Sequence, residues 1–240
     1  MNPLHEGLRS ILLDIEGTTT PIAFVHEVLF PYAREHAKEF LTNNFAAEEV
    51  QADVALLREE HASDVSKNLQ PPLVSDEIDS IVAYVEWLIA HDRKSTGPKS
   101  LQGKIWRRGY VDGSLKAQVF ADVAPAFERW TSAGLSVNIF SSGSVLAQQL
   151  LFAHTDAGDL TTFIDNYFDT NIGKKVEAES YLRIAGALDF APDQILFISD
   201  VVAELDAASE AGMKTLLSIR AGNQPQPLTN HPVIHSFDEL

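Results

Sequence analysis

The sequence predicts an α/β fold, a doubly wound, mostly parallel sheet with an all-helical domain inserted after its first strand. Three observations carry this expectation. Short, nearly continuous apolar runs recur along the chain, helical patterns alternate with them, and the first two runs are separated by far more chain than a crossover needs.

The runs are Ser10 to Ile15 (SILLDI), Leu135 to Phe140 (LSVNIF), Gln194 to Ser199 (QILFIS) and Lys214 to Ile219 (KTLLSI). Their unbroken apolar character suits parallel strands covered on both faces. Helical periodicity marks Val123 to Ala133, Val145 to His154, Glu177 to Leu188 and Val202 to Ala211. A crossover takes about a dozen residues, so the stretch between Asp14 and Leu135 must hold an insertion. Within it, Ile78, Ile81, Val82, Val85, Leu88 and Ile89 form one helical stripe, with Ser75 and Asp76 as start signals and Pro71 and Pro72 as punctuation before it. Phe24 to Leu41, Glu48 to His61 and Leu101 to Tyr110 also read as helix. The expected division is a catalytic core of residues 1–20 and 116–240 and a helical insertion of residues 21–115. The Gly-, Pro- and Asn-rich tail from Ala221 to Pro232 reads as loop, followed by the short apolar stretch Val233 to Phe237.

The chain of 240 residues is long enough to bury a substantial core, and its formal net charge of −16 opposes nucleic-acid backbones and anionic membrane faces. A small anionic substrate remains compatible, provided a local pocket supplies the positive charge. Without cysteine there is no disulfide, thiol catalysis or thiolate metal site, which leaves oxygen and nitrogen ligands and fits a cytoplasmic protein. The N-terminal MNPLHEGLRS lacks the apolar run of a signal peptide, and no window approaches the roughly 18 apolar residues of a membrane span.

Four constellations stand where an open α/β sheet places its ligands, at the carboxyl ends of strands. Asp14 and Glu16 follow the first run, two residues apart on extended chain, so that both acids can face one cavity. The alternative is a turn capped by Asp14 with Glu16 in solvent. Ser141, Ser142, Gly143 and Ser144 precede a helix and offer hydroxyl and backbone N–H groups to an anion, or merely an N-cap serine. Lys174 and Lys175 come just before a helical run, where positive charge opposes the macrodipole unless an anion intervenes; the alternative is two solvated lysines. Asp200 ends the third run, able to meet Asp14 across a cavity and form a hard oxygen site for magnesium, or to cap the following helix, which carries Glu204 and Asp206. Their order and shared topology favour the functional readings together.

These residues resemble the four motifs of the haloacid dehalogenase superfamily of phosphatases and phosphotransferases, with Asp14 at the nucleophile, Ser141 and Ser142 at the second motif, Lys175 at the third and Asp200 at the metal acid of the fourth. Most superfamily phosphatases carry Asp two residues after the nucleophile, where this chain has Glu16. DIEGTTTPIAFVHEVLFPY, FSSGSVLAQQLLF, FDTNIGKKVEAESY and ILFISDVVAELDAA together resemble the enolase-phosphatases of methionine salvage, over about Ile11 to Ile219. The helical insertion resembles that family's cap domain.

The resemblance implies a bifunctional enolase-phosphatase that enolises 2,3-diketo-5-methylthiopentyl-1-phosphate and dephosphorylates it to the acireductone 1,2-dihydroxy-3-keto-5-methylthiopentene. It implies one magnesium ion per chain, held by Asp14, Asp200 and the main-chain carbonyl of Glu16. On this reading Asp14 is the nucleophile, Glu16 the general acid and base, and Ser141, Ser142 and Lys175 bind phosphate. The base for enolisation is Glu16 or a residue of the insertion. The expected partner is the small phosphate substrate alone, with no nucleic acid or membrane, for a monomeric chain. Another phosphatase of the same superfamily, acting on a small phosphate monoester without enolisation, is the alternative. Trp87, Trp106 and Tyr110 either line the pocket from the insertion or pack its core.

Overall fold

The computed structural model describes residues 7–91, 93 and 96–240; the N-terminal MNPLHE lies outside them. The four apolar runs become strands β1 (Ser10–Leu13), β2 (Ser136–Phe140), β4 (Ile195–Ser199) and β5 (Lys214–Ser218). Two shorter strands join them, β3 (Asn166–Phe168) and β6 (Val233–Ile234). All pair in parallel in the order β3-β2-β1-β4-β5-β6, which puts β1 at the centre with Leu13 level with Ile139 on one side and Ile198 on the other. The sheet is mostly apolar on both faces because helices cover both.

A polar ladder crosses this apolar sheet. Asn138 Nδ2 donates to Ser10 Oγ and to Ser136 Oγ, each at 2.9 Å, and Asn138 Oδ1 accepts from Asn166 Nδ2 at 2.9 Å. The ladder ties β1, β2 and β3 side by side, and the buried Asn138 amide is tolerated here because its hydrogen bonds are made.

The chain divides into two compact units, one running to Val25 and resuming at Lys116–Leu240, the other His26–Leu115. At the end of the first segment of the α/β unit, α1 (Ile22–Phe24) leads through a single π turn (Val25–Leu29) into the helical unit, which holds α2 (Phe30–Asn44), α3 (Glu48–Ser66), α4 (Ile78–Ala90) and α5 (Thr96–Asp112). The π turn lies just before Pro31, whose missing N–H removes a normal i→i−4 bond and lets the ladder widen. Helix α4 starts one residue after the expected signals. Ser75 Oγ accepts from Glu77 N at 3.2 Å, so its hydroxyl organises the turn leading in rather than the first helical N–H. The stripe residues Ile81, Val82, Val85 and Leu88 pack with Phe40, Leu41, Val54, Leu57 and Leu101 in this unit's own core. Trp106 and Tyr110 are buried, with Trp106 Nε1 donating to Leu29 O at 2.8 Å, and Trp87 stacks on Tyr84. Trp87 and Trp106 thus meet partners within the helical unit.

In the α/β unit, α6 (Val123–Ser132), α7 (Val145–Ala153), α8 (Ala178–Leu188) and α9 (Val202–Glu210) cover the sheet. Tyr181, Ile184, Leu205 and Ala208 from α8 and α9 meet Leu12, Phe140, Phe197 and Leu217 from the strands in one core. That core fixes α8 and α9, and hence the loops entering them, against the carboxyl edge of the sheet. Among the described residues no helix is long and apolar enough to cross a membrane.

Candidate active site

The strand ladder of β1 runs one residue past its end, because Asp14 N donates to Ile198 O at 3.0 Å. The chain then turns sharply. The N–H groups of Thr18, Thr19 and Thr20 all donate to Ile15 O, at 3.2, 3.0 and 2.9 Å, and Gly17 takes a φ of +70°, which glycine adopts without strain. Thr19 Oγ1 adds a bond of 3.2 Å to Ile15 O. Glu16 stands in this turn, partly buried and bridged through its backbone to Thr20.

The Asp14 side chain does not cap the turn. Its Oδ1 accepts from Lys175 Nζ at 2.5 Å, both groups being buried. The same ammonium lies 2.6 Å from Glu204 Oε2. Ser199 Oγ donates to Glu204 Oε2 at 2.9 Å and accepts from Val201 N at 3.1 Å. Tyr181 OH donates to Lys175 O at 2.6 Å, anchoring the lysine's backbone to α8.

The expected conflict between Lys174, Lys175 and a helix dipole is absent. Helix α8 begins only at Ala178, Lys174 points outward and pairs with Glu177 at 2.8 Å, and Lys175 alone turns inward. Asp200 is not a helix cap either, since Val201 occupies that position of α9. On the second motif, Ser144 is the N-cap of α7, accepting from Ala147 N at 3.3 Å. Ser141 is buried at the end of β2 with its Oγ accepting from Gly143 N at 3.2 Å, and Ser142 is partly exposed beside it. The loop is held from below by Gln148, whose Nε2 donates to Gly143 O at 2.8 Å and Phe168 O at 2.9 Å.

Asp14 and Glu204 thus share the Lys175 ammonium, and a third buried carboxylate, Asp200, lies near enough to feel the charges of all three. Burial, reinforced by the charges of Asp14 and Glu204, pushes the Asp200 carboxyl up to about 7. Burial also lifts Glu204 to about 7, with Lys175 pulling it down and Asp14 pushing it up. Burial works against the Lys175 ammonium, but Asp14 and Glu204 outweigh it and raise its pKa. This surplus of negative charge suits a hard divalent cation. Gly17 leaves room for it, because a Cβ there would fall 2.3 Å from Asp200 Oδ2. Among the described residues no three His, Asp or Glu side chains form a ligand cage, so a cation here would draw on Asp14, Asp200, main-chain oxygen and water.

Sequence reasoning gave no role to Ser199, Glu204, Tyr181 or Asn223. Glu204 had a signal, four residues after Asp200 in the first turn of a helix, where one turn returns to the same side. Asn223 had none, since it lies in a tail read only as loop, yet its Nδ2 donates to Gly17 O at 2.9 Å.

The sequence matches the haloacid dehalogenase-like hydrolase family over residues 8–212. The enolase-phosphatase E1 of Synechococcus elongatus is 55% identical over 238 residues, covering 99% of this chain and 100% of that protein. A probable bifunctional methylthioribulose-1-phosphate dehydratase/enolase-phosphatase E1 of Sorghum bicolor is 46% identical, aligning 98% of this chain with 47% of that longer protein. Among solved structures, the UTR4 protein of Saccharomyces cerevisiae superposes with a TM-score of 0.80 at 34% identity, covering 97% of this chain and 100% of that one.

Proposed function

Because the chain belongs to the haloacid dehalogenase-like hydrolases, and among them to the enolase-phosphatases E1, we propose that it converts 2,3-diketo-5-methylthiopentyl-1-phosphate to the acireductone 1,2-dihydroxy-3-keto-5-methylthiopentene and phosphate in methionine salvage. The Sorghum relative supports the substrate: a methylthioribulose phosphate that loses water becomes a diketo methylthio phosphate, and that protein's name joins the two activities.

The observation that carries the phosphatase half is the buried ion pair of Lys175 with Asp14. An ionised, oriented carboxylate at the carboxyl edge of the sheet is a nucleophile ready for in-line attack on phosphorus. Asp14 forms an aspartyl-phosphate as the enediol oxygen leaves, and water then cleaves that acyl-phosphate and regenerates the carboxylate. Lys175 holds Asp14 and offsets charge on the phosphoryl oxygens, while Ser141, Ser142 and their backbone N–H groups bind those oxygens. Glu16 protonates the leaving oxygen and then takes the proton of the attacking water. Magnesium, one per chain at Asp14, Asp200 and the Glu16 carbonyl, would neutralise the repulsion between nucleophile and phosphate when bound. The base for enolisation is Glu16 or a residue of the helical unit, which serves as the cap domain. The reading includes a monomeric, cytoplasmic enzyme acting on a small soluble phosphate.

The deciding experiment follows the diketo phosphate with purified protein and magnesium, recording enediol absorbance and phosphate release together. Both signals are expected. Phosphate released from simple esters, with no enediol formed from the diketone, would overturn the enolase half.

A further inference from the structure

The tail between Ala221 and Pro232 reaches the metal-binding edge. Asn223 Nδ2 donates to Gly17 O at 2.9 Å and to Ser218 O at 3.1 Å, bridging the turn after β1 to the end of β5. Three residues on, Gln226 Oε1 accepts from Val202 N at 3.2 Å, at the start of the helix that follows Asp200. The tail is therefore fastened to both segments that carry the candidate metal acids.

The two carbonyl partners fix the orientation of the Asn223 amide, because only its nitrogen can donate to them. Its oxygen then faces the other way. Among the described residues Asn223 Oδ1 is buried and has no hydrogen-bond partner. A Cβ built on Gly17 would lie 3.0 Å from Asn223 Oδ1 and 2.3 Å from Asp200 Oδ2, so both oxygens flank one point. An amide oxygen and a carboxylate are both acceptors, and leaving either without a donor is costly. A water placed between them supplies two O–H donors, and a water polarised by a cation donates more strongly.

We infer that Asn223 is a positioning residue of the magnesium site: its Oδ1 accepts a hydrogen bond from a water of the bound ion. The inference rests on the magnesium site proposed above. Outer partners of this kind change metal affinity by about 10- to 100-fold when removed.

Calorimetric titration of the metal-free chain with magnesium, with the magnesium-induced rise in unfolding temperature as a second readout, tests it without turnover. Wild type should bind and Asp200→Asn should not; a wild type that shows no binding removes the metal site itself, and this inference with it. Given wild-type binding, Asn223→Ala should weaken affinity about tenfold, while Asn223→Asp, which keeps an acceptor and loses both donors, should stay within about threefold of wild type. Alanine within twofold of wild type, or equal losses in both variants, overturns the inference, since loop packing alone would treat them alike. Should the alanine variant fail to fold, the aspartate variant decides: affinity kept supports the acceptor role, and affinity lost overturns it.

Discussion

Lys175 Nζ stands between Asp14 Oδ1 at 2.5 Å and Glu204 Oε2 at 2.6 Å, so one buried ammonium joins the end of the first strand to a helix near the end of the chain. Lys175→Met keeps much of the stem and removes the charge, leaving buried carboxylates without their counter-ion. Phosphate release is expected to fall by at least about 10²-fold, with a lowered unfolding temperature. Steady-state kinetics and calorimetry check both; turnover within tenfold of wild type contradicts the role given to Lys175.

Asp14→Asn preserves shape and removes the proposed nucleophile. The variant should fold, shown by an unchanged far-ultraviolet dichroism spectrum, and should release no phosphate above background from the diketo substrate. Retained turnover would assign the attack to another group.

Glu16→Asp withdraws the carboxyl by one methylene without changing its charge. If Glu16 moves the proton of the leaving oxygen, kcat should drop by about 10- to 100-fold with little change in KM. An unchanged kcat would mean that the longer side chain has no part in proton transfer.

Gly17→Ala places a Cβ against Asp200 Oδ2 at 2.3 Å and imposes a side chain on a φ of +70°. Gly134 has a φ of +80° with open space around it, so Gly134→Ala carries the backbone strain alone, about 1 kcal/mol. Activity should survive in the second variant and fall at least about 10²-fold in the first, because only the first displaces Asp200, the proposed metal acid.

Stability of the metal-free protein should depend on pH through Asp200 and Glu204, both raised to about 7. A carboxyl raised in the folded state binds more protons there than in the unfolded chain at pH between its ordinary range and 7. Its contribution is therefore greatest at low pH and declines as pH rises through about 7, by on the order of 1 to 3 kcal/mol in all. Urea unfolding in chelator at pH 5 and pH 8, compared with Asp200→Asn, isolates this part. A pH difference unchanged by the substitution would exclude Asp200 as its source.

Much of the architecture was legible because buried parallel strands announce themselves as apolar runs, as β1, β2, β4 and β5 do. Strand β3 did not, since Asn166, Tyr167 and Phe168 are few and only partly covered at the sheet's flank. Strand β6 is two residues long and takes its pairing from β5 rather than from any pattern of its own. Asp14, Lys175 and Asp200 could be read because each closes or follows a recognisable element. Glu204 could be seen but not assigned, as its meaning depends on meeting Lys175. Asn223 was hidden, since nothing local to a Gly- and Pro-rich tail tells which distant carbonyl it will reach.

The polar ladder through Asn138 has a bearing on chemistry that takes place at the opposite end of the strands. Each step along a strand moves the chain about 3.3 Å and reverses the side-chain direction. An apolar sheet would tolerate such slippage more readily than one in which Asn138 must find Ser10, Ser136 and Asn166 at once. The ladder acts as an alignment key, holding in fixed register the end of β1 that leads into Asp14 and the end of β2 that leads into Ser141, so that the tolerance of the reaction centre is set at the other end of the strands.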